Sequence, residues 1–402
     1  MPAVLPSSDA STKNVAGDPG STSLPPNGAP SIKPPLPNAN LSLVDFRSDT
    51  VTQPTREMRE AMAFAGTGDD VYGEDPTANN FEALIASACH MESGLFVTTG
   101  TQSNLCALLS HCERGDEIIT GDHGHSFYYE NAGAACFAGC QMYPLKMDKG
   151  RYEFSDIEHA IRPDNVHFPR TRLVLVENTH LGHAVPVEYY KKLRAFVDKL
   201  NEGRKHKILI HCDGARIVNA CTYFNVELHE FTQYFDSISI CFSKGMGAAM
   251  GSMLIGKTDF INTARRWRKA VGGGMRQVGV LAAGCEFAFL NHRKRLQDDH
   301  DNAALLASLI AKNCASSLKL ENEENRTNMI FFSFVLTAEQ KKRDAEIFDN
   351  FAVFTRENGF IMGNPKYTQG MVRIVTHLDV GTEDVERLAL ALKEFCETHL
   401  AS

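Results

Sequence analysis

Short apolar runs alternate with longer amphipathic stretches over most of this chain, and that alternation limits its fold more than any other feature. Leu95-Phe96-Val97, Asp116-Glu117-Ile118-Ile119, Leu173-Val174-Leu175-Val176, Ile208-Leu209-Ile210 and Ile238-Ser239-Ile240 read as short strands buried on both faces. Between them, Tyr190, Leu193, Phe196, Val197 and Leu200 recur at helical spacing. The pattern predicts an α/β fold, a large and mostly parallel sheet with helices on both faces. A long helix over 298–318 should lead to a smaller C-terminal α+β domain, with strands at 329–334 and 372–375 and a closing helix over 383–400. A chain of 402 residues, 43% hydrophobic, can fill both cores. Residues 1–40 hold nine of the sixteen prolines and no aromatic residue, so they are expected to be a disordered tail. The predicted division is a tail at 1–40, a large domain with an N-terminal arm at 41–295, and a small domain at 296–402.

Bulk properties exclude several function classes. A net charge of −8 disfavours broad nucleic-acid or anionic-membrane binding. The eleven cysteines are scattered without a CxxC pair, which argues against a zinc cluster or a disulfide framework; no metal is expected. No run approaches the roughly twenty apolar residues of a membrane span, and the N-terminus lacks a signal-peptide core. The expected setting is the cytosol.

Chemistry concentrates at strand ends. The run at 207–212 ends in Asp213-Gly214-Ala215-Arg216, and the run at 235–241 ends in Phe242-Ser243-Lys244-Gly245. An acid at one strand end and a lysine at the next is what pyridoxal phosphate requires. The amine can form a Schiff base with the cofactor aldehyde, and the carboxylate can keep the pyridine nitrogen protonated. Thr99-Gly100-Thr101 follows a strand and opens a helix, a place where exposed N–H groups favour a phosphate, although an ordinary helix cap would look the same. Gly272-Gly273-Gly274 permits close backbone approach, and its neighbours Lys269 and Arg276 are candidates for further phosphate contacts. Arg265, Arg266 and Arg268 read instead as a solvated helix face. Arg373, inside an apolar strand, needs a partner, either a substrate carboxylate or a structural acid.

These motifs, in this order, resemble the low-specificity L-threonine aldolases. The resemblance rests on Arg47-Ser48-Asp49-Thr50, Gly68-Asp69-Asp70-Val71-Tyr72-Gly73, Thr99-Gly100-Thr101, Glu177-Asn178-Thr179-His180, Asp213–Arg216, Ser243-Lys244-Gly245 and Gly272–Gln277. It spans residues from about 45 to about 380. It implies fold type I of the pyridoxal phosphate enzymes and a homotetramer with active sites at subunit interfaces. It also implies roles: Lys244, beside Ser243, as the Schiff-base lysine, Asp213 at the pyridine nitrogen, Arg216 near the ring hydroxyl, and His125 stacked on the ring. Thr99, Gly100 and Thr101 would take the phosphate, with Lys269 and Arg276 reaching a neighbour's phosphate. Ser48 and Arg373 would clamp the substrate carboxylate, and Tyr72 would line the partner's pocket. His167 matches a second active-site histidine, so His125 or His167 would be the base that releases an aldehyde from threonine, leaving a quinonoid to be protonated to glycine. The family also contains alanine racemases of fungal peptide-toxin pathways. The stretches His180-Leu181-Gly182-His183 and Gly245-Met246-Gly247-Ala248 depart from the usual pattern, so racemisation is the alternative activity.

Overall fold

The computed structural model describes residues 43–400, except 364 and 366–369, so the predicted tail at 1–40 lies outside the described residues. The described residues form one compact unit. Its centre is a seven-stranded sheet built from β2 (Ser93–Val97), β3 (Asp116–Gly121), β4 (Gln141–Leu145), β5 (Arg170–Glu177), β6 (Leu209–Asp213), β7 (Ser237–Cys241) and β8 (Ser252–Gly256). The order is β2-β8-β7-β6-β5-β3-β4. β3 to β7 pair in parallel, while β8 runs antiparallel between β7 and β2. The sheet carries no wet face over most of its width: β3, β7 and β8 are buried at every position.

β4 and β8 were not among the predicted strands. The direction of β8 follows from chain length, because only residues 242–251 separate it from β7. That is too short for the crossover a parallel neighbour needs. This short return carries Lys244. Parallel strands align their C-terminal ends along one edge, where ligands of open α/β sheets bind.

The helix predicted over 298–318 is shorter, Leu296–Asn313. Leu318 belongs instead to a strand, β9 (Leu318–Leu320), which pairs with β10 (Met329–Phe334). Burying Leu318 against that sheet outweighs about one further helical turn. β12 (Met371–Val375) flanks β10 on its other side, completing a three-stranded antiparallel sheet. The helices Leu296–Asn313 and Thr382–Phe395 contribute to the same apolar core, through Leu306, Ile310, Leu388 and Leu392. A long-range tie was invisible in the sequence. β1 (Val44–Asp45) pairs in parallel with β11 (Phe360–Ile361). Phe46 then accepts from the Val375 amide at 2.9 Å, which sets Ser48 and Asp49 beside β12. Among the described residues, no helix is long and apolar enough to cross a membrane.

Candidate active site

Register places the key acids. Glu177 at the end of β5 is the cross-strand partner of Asp213 at the end of β6, and Asp213 pairs with Ser239 of β7. Lys244 follows β7 in a tight turn, closed by the Gly247 amide donating to the Lys244 carbonyl at 2.7 Å. Gly247 has φ +76°, a conformation glycine adopts without a Cβ penalty. His125 starts a short helix after β3, with its amide donating to a Glu177 oxygen. Lys244, Asp213, Arg216, His125 and Arg373 all line one cavity of about 410 Å³, together with Tyr129.

The electrostatics are set by three buried carboxylates. Asp49, fully buried, takes two hydrogen bonds from Arg216, at 2.8 and 2.5 Å. Burial alone would raise its pKa, but the charge and hydrogen bonds of Arg216 prevail and hold it at about 2. Asp213 accepts from the Ala215 amide at 3.1 Å and from Asn104 Nδ2 at 2.8 Å. Asn104 Nδ2 also donates to Glu130 Oε1 at 3.0 Å, and the same oxygen meets His125 Nδ1 at 2.8 Å. Burial pushes Glu130 above the ordinary carboxylate range, while the bond to Glu130 raises His125 against its own burial. Nδ1 and Oε1 lie at hydrogen-bond distance, so the protonation of each depends on the other. Arg373 Nη2 donates to the Arg47 carbonyl at 3.0 Å and has no carboxylate partner among the described residues. Its pKa is lowered, first by burial and then by the charge of Arg216. A cation in that position is matched to an incoming anion.

The other predicted residues fall into three places. Thr99 caps the helix Gly100–His111, accepting from the Gln102 amide at 3.1 Å, and Thr101 stands exposed on the first turn. A Cβ on Gly100 would meet Cys241 Sγ at 2.7 Å, so this helix start lies against the end of β7, close to the lysine turn. Ser48 accepts from the Thr50 amide, next to Asp49, and Ser243 is half-buried beside Lys244. Tyr72, Lys269 and Arg276 lie outside this cavity and are exposed; Arg276 pairs with Asp69 at 2.7 Å.

One expectation needs correction, that for Arg268, and His167 stands apart from its own chain's cavity. His167 is exposed in the loop before β5, while the cavity lies beyond the far end of that strand. Eight residues of strand span about 26 Å, so His167 cannot share a ligand with His125 of the same chain. Arg268 is not solvated: it is 2% exposed and bonds the Asp70 carboxylate at 2.5 Å and the Phe96 carbonyl at 2.6 Å. Its basic neighbours in sequence concealed the acid it meets across the fold. The reading also passed over Asn104 and Glu130. Glu130 lies just past the short helix and fits no spacing rule, so no signal in the sequence marks it.

Measured against pyridoxal phosphate, the donor set fits: an amine at Lys244, an acid at Asp213 backed by an amide, an imidazole in the same cavity and a helix N-terminus nearby. Comparisons with known proteins agree. Residues 45–334 match the family model described as β-eliminating lyase. The chain is 42% identical over 354 residues to a low-specificity L-threonine aldolase of Escherichia coli, covering 88% of this chain and 99% of the relative. It is 38% identical over 355 residues to low-specificity L-threonine aldolase 1 of Arabidopsis thaliana, covering 85% and 93%. In fold it resembles the Leishmania major threonine aldolase, with TM-score 0.71, 21% identity and coverage of 87% and 98%. It also resembles the Sphingomonas wittichii serine palmitoyltransferase, with TM-score 0.67, 16% identity and coverage of 88% and 87%.

Proposed function

Because the chain belongs to the threonine aldolase family of β-eliminating lyases, pyridoxal-phosphate-dependent enzymes of fold type I acting on small amino acids, we propose that it cleaves L-threonine and L-allo-threonine to glycine and acetaldehyde. The observation that carries this reading is Arg373. It is a half-buried cation without a carboxylate partner among the described residues, in the same cavity as Lys244, Asp213 and His125.

Asp213 would hold the cofactor's ring nitrogen, His125 would lie against the ring, and Thr99, Gly100 and Thr101 would take the phosphate. When bound, the cofactor draws electrons from the substrate α-carbon. The work of this chain's residues is placement and proton transfer. Arg373, with Ser48 beside it, takes the substrate carboxylate in a charge-assisted fork, which decides which α-carbon bond is aligned for cleavage. Arg216, neutralised by Asp49, keeps a second donor in the cavity without adding net charge there. His125 Nε2 accepts the β-hydroxyl proton as the Cα–Cβ bond breaks, and Lys244 returns a proton to the α-carbon. We further propose a homotetramer in which exposed Tyr72, Lys269 and Arg276 complete a neighbour's site; their exposure outside their own cavity supports this.

The test is a parallel assay of the cofactor-loaded protein. L-threonine and L-allo-threonine are supplied with acetaldehyde and glycine quantified, and L-alanine is supplied with D-alanine resolved chirally. Aldehyde release without D-alanine is expected. Rapid D-alanine formation with negligible aldehyde would overturn the reading in favour of racemisation.

A further inference from the structure

A chain of hydrogen bonds runs from beneath the sheet into the cavity, and its direction can be worked out atom by atom. Asn104 lies between Asp213 Oδ2 and Glu130 Oε1, at 2.8 and 3.0 Å. Carboxylate oxygens accept, so the Asn104 amide nitrogen faces both of them and its Oδ1 faces His211 Nε2 at 3.3 Å. That amide orientation favours a proton on His211 Nε2, which Ser239 Oγ also faces at 3.3 Å, and leaves Nδ1 to accept from Ser237 Oγ at 2.7 Å. Ser237 Oγ in turn accepts from His111 Nε2 at 2.6 Å. Burial lowers both histidines, His211 to about 4 and His111 well below the usual imidazole range, so they stay neutral. Every dipole in this chain points its positive end at the two carboxylates, which keeps both ready to accept.

Glu130 then has a defined task. Its Oε1 already accepts from Asn104, and the remaining partner is His125 Nδ1 at 2.8 Å. With Glu130 as acceptor, His125 is fixed as the Nδ1–H tautomer and its Nε2 is the free basic nitrogen. The other groups facing His125 are Asp213, Lys244, Tyr129 and, at its backbone amide, Glu177. None of these bonds its ring nitrogens among the described residues.

We propose that Glu130 is a positioning residue that fixes the tautomer and basicity of His125, and that Asn104 sets the strength of this pair by donating to Glu130 and Asp213 together. During cleavage the hydroxyl proton passes to His125 Nε2, while the Nδ1 proton stays in its bond to Glu130 and the charge of the imidazolium is balanced there. The linkage through Asn104 means that the base and the carboxylate assigned to the ring nitrogen feel each other's charge. The part concerning proton abstraction rests on the threonine-cleavage reading; the tautomer and titration of His125 do not.

Two substitutions should move His125 in opposite directions. Glu130→Gln removes the negative charge and should lower the His125 midpoint by about one pH unit, a tenfold change in proton affinity. Asn104→Ser removes the shared donor, leaves the two carboxylates facing each other and should raise it. The midpoint is read by imidazole NMR titration of the cofactor-free protein, and the acid limb of the kcat/KM profile for L-threonine is read on the loaded enzyme. The limb should move in the same sense as the midpoint, with kcat for Glu130→Gln reduced about 100-fold. Glu130→Asp should recover part of that loss. If Glu130→Gln does not melt cooperatively, Asn104→Ser carries the test alone. Midpoints that stay put, or that both move one way, overturn the proposal. Should the wild type release no aldehyde while the midpoints shift as described, the substrate reading fails and the pair stands. Should it release aldehyde with unshifted midpoints, the pair fails and the substrate reading stands.

Discussion

Replacing Asp49 by asparagine keeps the shape of the site and removes the charge opposite Arg216. The structure gives the size of the effect. Asp49 is fully buried and its carboxyl is held at about 2 against an ordinary 3.8. A drop of nearly two units corresponds to about 2 kcal/mol favouring the native carboxylate. The variant also strands the guanidinium of Arg216, whose side chain is only 15% exposed. Removing one partner of a buried pair costs about 3–5 kcal/mol, so the expected loss at neutral pH is about 3 kcal/mol. The folded pKa is depressed. The contribution is therefore complete above the unfolded value near 4 and is lost as pH falls from about 4 towards about 2. Urea unfolding of the cofactor-free protein, followed through Trp267, the single tryptophan, measures it directly. The gap between wild type and Asp49→Asn should stay level from pH 7 to pH 5 and narrow below pH 4. A gap under about 1 kcal/mol at pH 7, or one that widens on acidification, would refute the argument.

Other outcomes follow from single contacts. Lys244→Ala should fail to develop the bound-cofactor absorption band when loaded, as a spectrophotometric titration would reveal. Arg373→Lys keeps the charge but loses the fork, so KM for L-threonine should rise about tenfold or more with a smaller change in kcat. Gly100→Ala places a Cβ at 2.7 Å from Cys241 Sγ. Displacing the helix start should weaken cofactor affinity about tenfold, the equivalent of 1–2 kcal/mol of overpacking, measurable by fluorescence titration of the cofactor-free protein.

Legibility in the sequence depended on how local each signal was. β5, β6 and β7 are short runs rich in apolar residues, each ending in or just before a named acid or lysine, so strand, strand end and chemistry could be read together. Thr99-Gly100-Thr101 was readable for the same reason, since a helix cap involves only neighbouring residues. β8 was not, because Met253-Leu254-Ile255 has the same apolar pattern whichever way it runs. Its direction is fixed by the short return from β7. Arg268 was misjudged because a charge within a basic run looks solvated until Asp70 is brought to it from 198 residues away.

The amino-acid sequence by itself determined the α/β class, the lysine and acid at adjacent strand ends, and membership of a family with that chemistry. The class rests on periodicity, the lysine and acid on spacing within a few residues, and the membership on the resemblance of ordered motifs. Only the tertiary structure decided that Asp49 neutralises Arg216 across 167 residues of chain, that His167 lies at the opposite end of β5 from its own chain's cavity, and that Asn104 joins Asp213 to Glu130. Those relations are set by strand register and by the β1–β11 tie. A carboxylate or amide has no spacing signature for a partner it meets only when distant segments pack, and burial then decides the strength of each pair.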